Sequence, residues 1–407
     1  MGRKRNKGLR AVGILTAAAL IVTLSAGCGQ PETEGESEQS QSVGTAVPTT
    51  TTAAKPAPLG DYTPRTLSLT EEAGGFRYAG RVKQLADGVG IDWTYSSVTF
   101  RADCQGDVQM TMRARSSSQP SYVVAVLDDE ELTVQQLKER RVKVTKKNAY
   151  TVLTDVPAGV HDICLIKLTE AQLGLLDLYD VILNGQLMEL PEETGRLKIE
   201  FIGDSITSGL GNLWTSSDGS ISDRQIFQDG YHTYEGFTAR ALDADIQVIS
   251  LSGWGVAGGW MTPSANAAIS NAYEYRSYYR NHSSDKWEFS SWQPDIVVIN
   301  LGTNDMGIPE PPDEDTLKAK VLELFALVRE HNPQAKIVWA FGLMGNAGGK
   351  IERIVKECMD ERAAQGDTVP YTFVELPSDQ NGGNGHPNVS GQERAGRVLT
   401  AALKKLL

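Results

Sequence analysis

Between residues 61 and 195, apolar and polar side chains alternate along short segments of the chain. The clearest examples are residues 98–102 and 108–114, where every second side chain is apolar. Successive side chains of a β-strand point to opposite faces, so this alternation predicts strands with one buried face. Many such strands separated by turn residues are typical of an antiparallel sandwich. We therefore predict an all-β domain over residues 61–195.

The pattern changes over residues 197–407. Short, continuously apolar segments follow one another there, and helical stretches such as residues 315–330 separate most of them. Apolar strands alternating with helices predict a parallel sheet with helices on both faces, an α/β domain. Ser390 and Glu393 have the spacing of a capping box, which predicts that the last helix begins there. The apolar segments are 199–202, 246–251, 296–301, 336–341 and 371–376.

Residues 1–28 have the pattern of an export signal. Basic residues precede an apolar run, 11–24, that is too short for a comfortable membrane-spanning helix. The run ends in Leu-Ser-Ala-Gly-Cys, which resembles a bacterial lipobox. Cys28 is therefore predicted to carry diacylglycerol and to anchor the protein to a membrane outside the cytoplasm. A plain signal peptide and an uncleaved anchor are the alternatives.

Residues 29–60 contain no periodic apolar pattern. Gln, Glu, Ser, Thr, Pro and Ala dominate this segment, so it has too few apolar side chains to bury a core. We predict a disordered linker that lets the folded part of the protein reach away from the membrane.

Net charge and cysteine positions bear on nucleic-acid binding, disulfide bonds and metal sites. The formal net charge is -12 and no basic stripe is present, so nucleic acid is not expected to bind. Beyond Cys28 the chain has Cys104, Cys164 and Cys358. Cys104 and Cys164 could form a disulfide, or all three could be free thiols. No Cys/His spacing indicates a metal site.

Candidate chemistry follows the strands of the α/β domain. Ser205 comes after the first strand, where a hydroxyl would lie beside free backbone N–H groups and the positive end of a helix. Gly253 follows the second strand and Asn304 the third, and both could donate hydrogen bonds to an oxyanion. Each has a structural alternative: a helix-capping serine, an ordinary turn glycine and a turn-forming asparagine.

A histidine is the expected base for such a serine. His386 lies between a glycine and a proline before the last helix, in a tightly shaped loop. His331 lies at a helix end, His161 belongs to the first domain, and His232 and His282 have no supporting motif. His386 is therefore the preferred candidate.

Four segments together carry a family resemblance. Residues 203–205, Gly253, residues 302–305 and residues 386–387 occur in the order of the four blocks of SGNH (GDSL-type) hydrolases. The resemblance implies a three-layer, flavodoxin-like α/β/α domain and a serine esterase. It implies Ser205 as nucleophile, His386 as base, and an oxyanion hole formed by the N–H groups of Ser205 and Gly253 and the Asn304 amide. No cofactor or metal is implied.

The first domain resembles a narrower family. Residues 76–82, Trp93, residues 98–100, 159–161 and 167–170 are similar to the jelly-roll accessory domain of carbohydrate esterase family 2. That family removes acetyl groups from sugar hydroxyls in plant polysaccharides. The resemblance implies acetylated xylan, mannan or derived oligosaccharides as substrates.

The sequence departs from the SGNH pattern at the third catalytic residue. The usual Asp, three residues before the histidine, is replaced by Gly383. The imidazole could donate to a backbone carbonyl instead, as some members of carbohydrate esterase family 2 do, and Asp379 or Asn384 could also reach it. Asp204 and Asp305 are interpreted as residues that hold their turns.

Two tryptophans near the predicted oxyanion glycine are candidates for sugar stacking. Trp254 and Trp260 could offer indole faces to sugar rings, although core packing is the alternative for each. The segments 212–230 and 377–390 are polar and Gly-rich, which favours a small acyl group. The rival hypotheses are an SGNH lipase or thioesterase, a peptidoglycan O-acetylesterase, and a non-catalytic carbohydrate-binding lipoprotein.

Overall fold

A computed structural model describes residues 55–116, 119–218, 225–260, 265–281 and 284–407. Cys28, most of the linker and His282 lie outside the described residues, so the predictions about them stay predictions. The described residues belong to one compact unit, Thr50–Leu407. None of the helices in the described ranges is long and apolar enough to span a membrane.

The first sheet is antiparallel throughout, which confirms the predicted sandwich. Its order is β3-β4-β9-β5-β8-β6-β7, with β1 on β9 and β2 on β5, and one short helix, α1, follows β6. These elements are β1 Pro64–Ser68, β2 Phe76–Ala79, β3 Lys83–Gln84, β4 Val89–Gly90, β5 Ser97–Ala114, β6 Ser121–Leu127, α1 Val134–Arg140, β7 Val142–Val144, β8 Asn148–Lys167 and β9 Leu176–Met188.

Several short strands predicted from the alternation are parts of longer strands. Residues 98–102 and 108–114 both belong to β5, whose register against β8 shifts around Gly106. Gly106 has a φ of +77°, a conformation that favours glycine. Such bulges bend a strand without ending it. The glycine between the two segments therefore marks a bulge rather than a turn.

The same strand pair explains the free cysteines. Cys104 lies opposite Gly159, whereas Cys164 lies opposite Thr99. The two thiols are therefore several residues apart along the ladder, too far for a disulfide. The disulfide considered for them is wrong in this structure, and Cys104, Cys164 and Cys358 are all free.

The second sheet is parallel, with the order β11-β10-β12-β13-β14. Because the chain passes from β10 to one neighbour and then returns to the other side, the strand order reverses beside β10. Ligands of open α/β sheets bind at such a point, outside the carboxyl ends of the strands. The strands are β10 Lys198–Gly203, β11 Asp245–Ser250, β12 Ile296–Asn300, β13 Lys336–Phe341 and β14 Tyr371–Glu375.

Helices cover both faces of this sheet, which confirms the α/β prediction. On β12, Val298 packs in one core cluster with Leu399, whereas its neighbour Val297 packs in the opposite cluster with Leu324. The helices are α2 Tyr234–Leu242, α3 Ser270–Tyr273, α4 Tyr278–Asn281, α5 Thr303–Met306, α6 Glu314–His331, α7 Lys350–Ala364 and α8 Val389–Leu403.

The start of α8 differs from its prediction. The N-cap is Asn388, whose side chain accepts a hydrogen bond from the Gly391 N–H at 2.9 Å. The capping box expected at Ser390 and Glu393 is therefore wrong, because Ser390 already lies inside the helix. An asparagine satisfies the exposed N–H groups of a first turn as well as a serine does.

Buried ion pairs join the sandwich to the α/β domain. Arg280 of α4 lies 2.5 Å from Asp177 of β9 and 2.6 Å from Asp92, and all three side chains are almost fully buried. Arg81, which follows β2, pairs with Glu200 of β10 at 2.9 Å. Removing one partner of such a pair leaves an uncompensated buried charge. The sandwich is therefore held in a defined position against the parallel sheet.

Candidate active site

Ser205 and His386 meet at the carboxyl end of β10. The His386 Nε2 atom lies 2.7 Å from the Ser205 Oγ atom. Ser205 is 5% exposed and follows a tight turn that begins at Gly203. A Cβ atom at Gly203 would lie 2.0 Å from Thr207 Oγ1, so the turn requires glycine. The structure thus brings together the two residues that the sequence singled out as nucleophile and base.

The other nitrogen of His386 faces the main chain. Its Nδ1 atom lies 3.1 Å from the carbonyl oxygen of Gly383, at the position where related hydrolases have an Asp. A carbonyl only accepts, so Nδ1 carries the proton and Nε2 is free to accept the Ser205 hydroxyl proton. Of the alternatives left open by the sequence, the geometry matches the backbone carbonyl.

Asp379 and Asn384 have other positions. Asp379 accepts hydrogen bonds from the N–H groups of Asn381 and Asn388, at 3.1 and 3.2 Å, and from Arg394 at 2.6 Å. Burial would raise the pKa of Asp379, but these donors lower it below its usual value. Asn384 is exposed. Asp379 therefore ties the two ends of residues 379–388, which we call the histidine loop.

The other oxyanion candidates follow the neighbouring strand β11, around residues 251–256, which we call the oxyanion loop. Its Leu251 N–H donates to the carbonyl of Gly203, at the start of the serine turn, at 3.2 Å. Gly253 has a φ of +82°. Within the described ranges, the backbone N–H groups of Ser205 and Gly253 have no protein acceptor. Two N–H groups without protein partners beside a serine nucleophile are the arrangement that an oxyanion hole needs.

The Asn304 amide is already engaged. Its Nδ2 atom donates to Asp204 Oδ2 at 3.0 Å and to the Trp254 carbonyl at 2.8 Å. An amide nitrogen carries two hydrogens, so donation to an oxyanion would require one of these bonds to be shared. Asn304 therefore ties the nucleophile turn to the oxyanion loop in this structure.

Asp204 and Asp305 hold their turns as expected. Asp204 accepts the Ile206 N–H at 2.9 Å, and Asp305 accepts the Val256 and Ala257 N–H groups at 2.9 and 2.7 Å. Burial, with the nearby carboxylates of Asp305 and Glu170, raises the pKa of Asp204 to about 7. Burial also raises the pKa of Asp305.

The two tryptophans differ in exposure. Trp254 is 8% exposed and packs edge-on against Tyr278, within the core beneath the site. The Trp260 side chain is 57% exposed, and the Trp260 backbone N–H donates to the Gly253 carbonyl at 2.8 Å. The stacking hypothesis therefore rests on Trp260, because the faces of Trp254 are covered.

Sequence reasoning assigned no role to two residues of the sandwich that reach this site. Glu170 and Gln172 lie between β8 and β9 and contact Ser252 of the oxyanion loop. Glu170 belongs to a segment that resembles the accessory domain, which was the only signal available. A contact between residues so far apart in the chain has no local signature.

Three other histidines have structural surroundings. His232 is buried between Asp229 and the Leu132 carbonyl, each at 2.7 Å. His161 contacts Asp128, and His331 stacks on Phe289. In the part of the chain that the structure describes, no three His, Cys, Asp or Glu side chains are grouped as metal ligands.

Two family models match this chain, one in the α/β domain and one in the sandwich. Residues 201–394 match the GDSL-like lipase/acylhydrolase family, and residues 78–191 match the carbohydrate esterase 2 N-terminal domain. With the parallel sheet and the serine turn, these matches define a GDSL-type (SGNH) hydrolase with an accessory sandwich. The chain belongs to carbohydrate esterase family 2.

Individual relatives agree with this assignment. The chain is 33% identical to the cellulase/esterase CelE of Acetivibrio thermocellus over 63% of its own length, and it spans about 31% of that protein. It is 23% identical to an acetylxylan esterase / glucomannan deacetylase of Cellvibrio japonicus, over 79% of this chain and 86% of that one. A solved family two carbohydrate esterase from Clostridium thermocellum, in complex with cellohexaose, matches with a TM-score of 0.72 at 28% identity. It covers 82% of this chain and 99% of that one.

Proposed function

We propose that this protein is a serine esterase that removes O-acetyl groups from plant-type polysaccharides or their oligosaccharides. The observation that carries the proposal is the relay Ser205 Oγ–His386 Nε2 at 2.7 Å and His386 Nδ1–Gly383 O at 3.1 Å. This relay supplies a nucleophile, Ser205, a base, His386, and a group that orients the base, the Gly383 carbonyl. No cofactor or metal has a part in this reaction.

The first half-reaction acylates the serine. As Ser205 Oγ attacks the acetyl carbonyl, its proton moves to His386 Nε2 and the carbonyl electrons move to the oxygen. The Ser205 and Gly253 N–H groups stabilise that oxyanion, and the Asn304 amide contributes by sharing one of its two engaged hydrogens with it. When the tetrahedral intermediate collapses, the bond to the sugar oxygen breaks. That oxygen takes the proton from His386, so the sugar hydroxyl leaves and acetyl-serine remains.

The second half-reaction repeats the chemistry with water. A water oxygen attacks the acetyl-serine carbonyl while His386 takes a proton from that water molecule. Collapse breaks the bond to Ser205 Oγ, which recovers its proton from His386, and acetic acid is released as acetate. The Gly383 carbonyl orients the imidazole and stabilises its cation throughout. It does so as a dipole rather than as a full charge.

Sugar acetates fit the surroundings of the site. The segments 212–230 and 377–390 are polar and Gly-rich, which favours a small acyl group over a long chain. Trp260, exposed beside Gly253, offers an indole face to a sugar ring. The Cellvibrio japonicus relative is an acetylxylan esterase / glucomannan deacetylase. These features support acetylated xylan, mannan or derived oligosaccharides as substrates.

Timed NMR tests the proposal. Wild type is incubated with fully acetylated xylopyranoside and glucopyranoside, and Ser205→Ala is the control. If wild type but not Ser205→Ala removes acetyl signals, and removes one before the others, the protein is a carbohydrate deacetylase. The first signal lost identifies the ring position that is deacetylated first. Preference for an octanoyl over an acetyl aryl ester would instead support the lipase or thioesterase hypothesis. Binding of these sugars with no acetate release would support a non-catalytic carbohydrate-binding protein.

We also propose a membrane anchor on Cys28 at an extracytoplasmic surface. The support is the sequence alone: a basic segment, a short apolar run and a lipobox-like end over residues 1–28. Expression in a bacterial host with radiolabelled fatty acid tests it. Label and membrane association are expected in wild type and lost in Cys28→Ser. Label retained in that variant would refute the anchor.

A further inference from the structure

The accessory sandwich contributes a buried carboxylate to the oxyanion loop. Glu170, just beyond β8, is fully buried. Its Oε2 atom accepts the Ser252 backbone N–H at 2.7 Å, and its Oε1 atom accepts the Ser252 hydroxyl at 2.6 Å. Hydrogen bonds to a charged acceptor are about twice as strong as neutral ones. One side of Ser252 is therefore held from the other domain.

Gln172 holds the opposite side of the same residue. Its Nε2 atom donates to the Ser252 carbonyl oxygen at 2.9 Å, and its Oε1 atom accepts the Tyr279 hydroxyl at 3.0 Å. Tyr279 thus fixes which end of the Gln172 amide faces Ser252. Glu170 and Gln172, which we call the inter-domain clamp, together engage the N–H, the hydroxyl and the C=O of Ser252.

The Ser252 carbonyl and the Gly253 N–H belong to one peptide group. A trans peptide is planar, and its C=O and N–H point in opposite directions. Holding the carbonyl towards the sandwich therefore aims the Gly253 N–H away from it. Gly253 has a φ of +82° and no side chain to restrict it, so its peptide orientation depends on neighbouring contacts.

We propose that the inter-domain clamp is a positioning device for catalysis: Glu170 and Gln172 orient the Ser252–Gly253 peptide so that the Gly253 N–H faces the oxyanion. The inference rests on the proposed esterase function. It makes the accessory domain part of the catalytic machinery, although neither residue touches the acyl group. Hydrogen bonding of the carbonyl also polarises the peptide, which strengthens its N–H as a donor.

Gln172→Met tests the clamp, because it removes the amide at similar side-chain length. In the full chain, kcat for 4-nitrophenyl acetate should fall about 10- to 100-fold, since a misaimed donor loses part of the 10²–10³-fold that one oxyanion donor supplies. KM should change by less than about threefold. The pH midpoint of kcat/KM should move by no more than a few tenths of a pH unit, because His386 is untouched. Gln225→Met is the matched control, since Gln225 donates to the Leu173 carbonyl at 3.2 Å without contacting Ser252.

Conservative variants separate positioning from folding. Gln172→Glu keeps the size and the acceptor for Tyr279 but offers no donor at neutral pH, so it should lose as much kcat as Gln172→Met. Glu170→Gln keeps the volume but loses one acceptor for Ser252. We expect a clear fall in kcat with little change in melting temperature. Wild-type kcat in both Gln172 variants, or a loss that appears only in KM, would overturn the clamp.

Hydrogen exchange provides a second measurement that does not depend on activity. Mass spectrometry should show faster exchange over residues 250–256 in Gln172→Met and unchanged exchange in Gln225→Met. Unchanged exchange in both would refute the clamp. If wild type released no acetate but the exchange difference held, the proposed function would fail, and the contacts of Glu170 and Gln172 would brace the oxyanion loop without a catalytic role. If wild type were active and Gln172→Met equally active, the clamp would fail alone.

Discussion

The two loops that face Ser205 are held by different means. The histidine loop is held from within its own domain, by Asp379 at its two ends and by the Gly383 carbonyl against His386. The oxyanion loop is held within its own domain by Asn304 and Asp305 and, at Ser252, also from the sandwich by Glu170 and Gln172. In the proposed mechanism, proton transfer therefore depends on contacts within one domain, whereas charge stabilisation depends also on contacts between the two domains.

In the proposed mechanism, the Gly383 carbonyl takes the place of the usual aspartate. A carbonyl orients an imidazole as well as a carboxylate does but stabilises its cation less, because it carries no net charge. More of the transition-state stabilisation then falls to the oxyanion side. A rigid, buried brace on that side is consistent with this division.

The largest effect is expected from removing the base. His386→Ala should lower kcat for 4-nitrophenyl acetate by about 10⁴-fold or more, because losing either member of a serine–histidine pair removes nearly all nucleophilic catalysis. Initial rates measure this, and His161→Ala in the sandwich is the control that should keep wild-type activity. More than about 1% residual activity in His386→Ala would place the base elsewhere.

Asn304→Ala tests the oxyanion side directly. If the amide shares a bond with the oxyanion, kcat should fall about 10²- to 10³-fold, as for other oxyanion-hole side chains. Comparison of kcat with the melting temperature is the measurement. A small loss of kcat with a clear loss of stability would mean that Asn304 only ties Asp204 to the Trp254 carbonyl.

Asp379→Asn distinguishes a brace from a catalytic carboxylate. We expect kcat to fall by about tenfold and the melting temperature to drop, because a loosened histidine loop misplaces the imidazole. A triad aspartate would cost about 10⁴-fold instead. Steady-state kinetics and thermal unfolding of the same preparation separate the two roles.

Trp260→Ala should affect substrate binding alone. The apparent KM for acetylated xylo-oligosaccharides should rise about fivefold, roughly 1 kcal/mol of lost stacking, with KM for 4-nitrophenyl acetate unchanged. Equal changes on both substrates would contradict sugar stacking. Trp254→Ala is expected to lower the melting temperature, since Trp254 packs in the core.

Two carboxyl groups near Ser205, Asp379 of the histidine loop and Asp204 of the serine turn, should give pH dependences of stability with opposite sign. Asp379 has a lowered pKa, so its stabilising contribution is present above its usual value of 3.8 and is lost as the pH falls below it. Asp204 keeps its proton up to a pKa of about 7, so its contribution is present at low pH and is lost as the pH rises from 3.8 towards 7.

Urea unfolding between about pH 3 and pH 8 checks these signs. Asp204→Asn should flatten the decline in the free energy of unfolding between pH 4 and 7, whereas Asp379→Asn should flatten the decline at the acidic end. A decline unchanged by Asp204→Asn would show that another group titrates there. These changes are the smallest expected.

Residue patterns predicted most of the fold. Period-two alternation predicted the antiparallel sheet, and apolar strands between amphipathic helices predicted the parallel sheet, because burial on one or both faces is written into neighbouring residues. The merging of short segments into β5 was missed, since a glycine at a bulge and one at a turn look alike. The same applies to the cap of α8, where Asn388 and Ser390 are equally suitable caps.

The sequence by itself determined which residues could do chemistry, because Ser205, Gly253, Asn304 and His386 each follow or precede a recognisable element. Only the tertiary structure decided which partners they have: the Gly383 carbonyl for His386, Asp204 for the Asn304 amide, and core packing for Trp254. It alone brought Glu170 and Gln172 to Ser252. A backbone carbonyl is present at every residue, and Glu170 and Ser252 lie 82 positions apart in the chain. Neither leaves a local pattern, because both depend on where the folded chain places distant atoms.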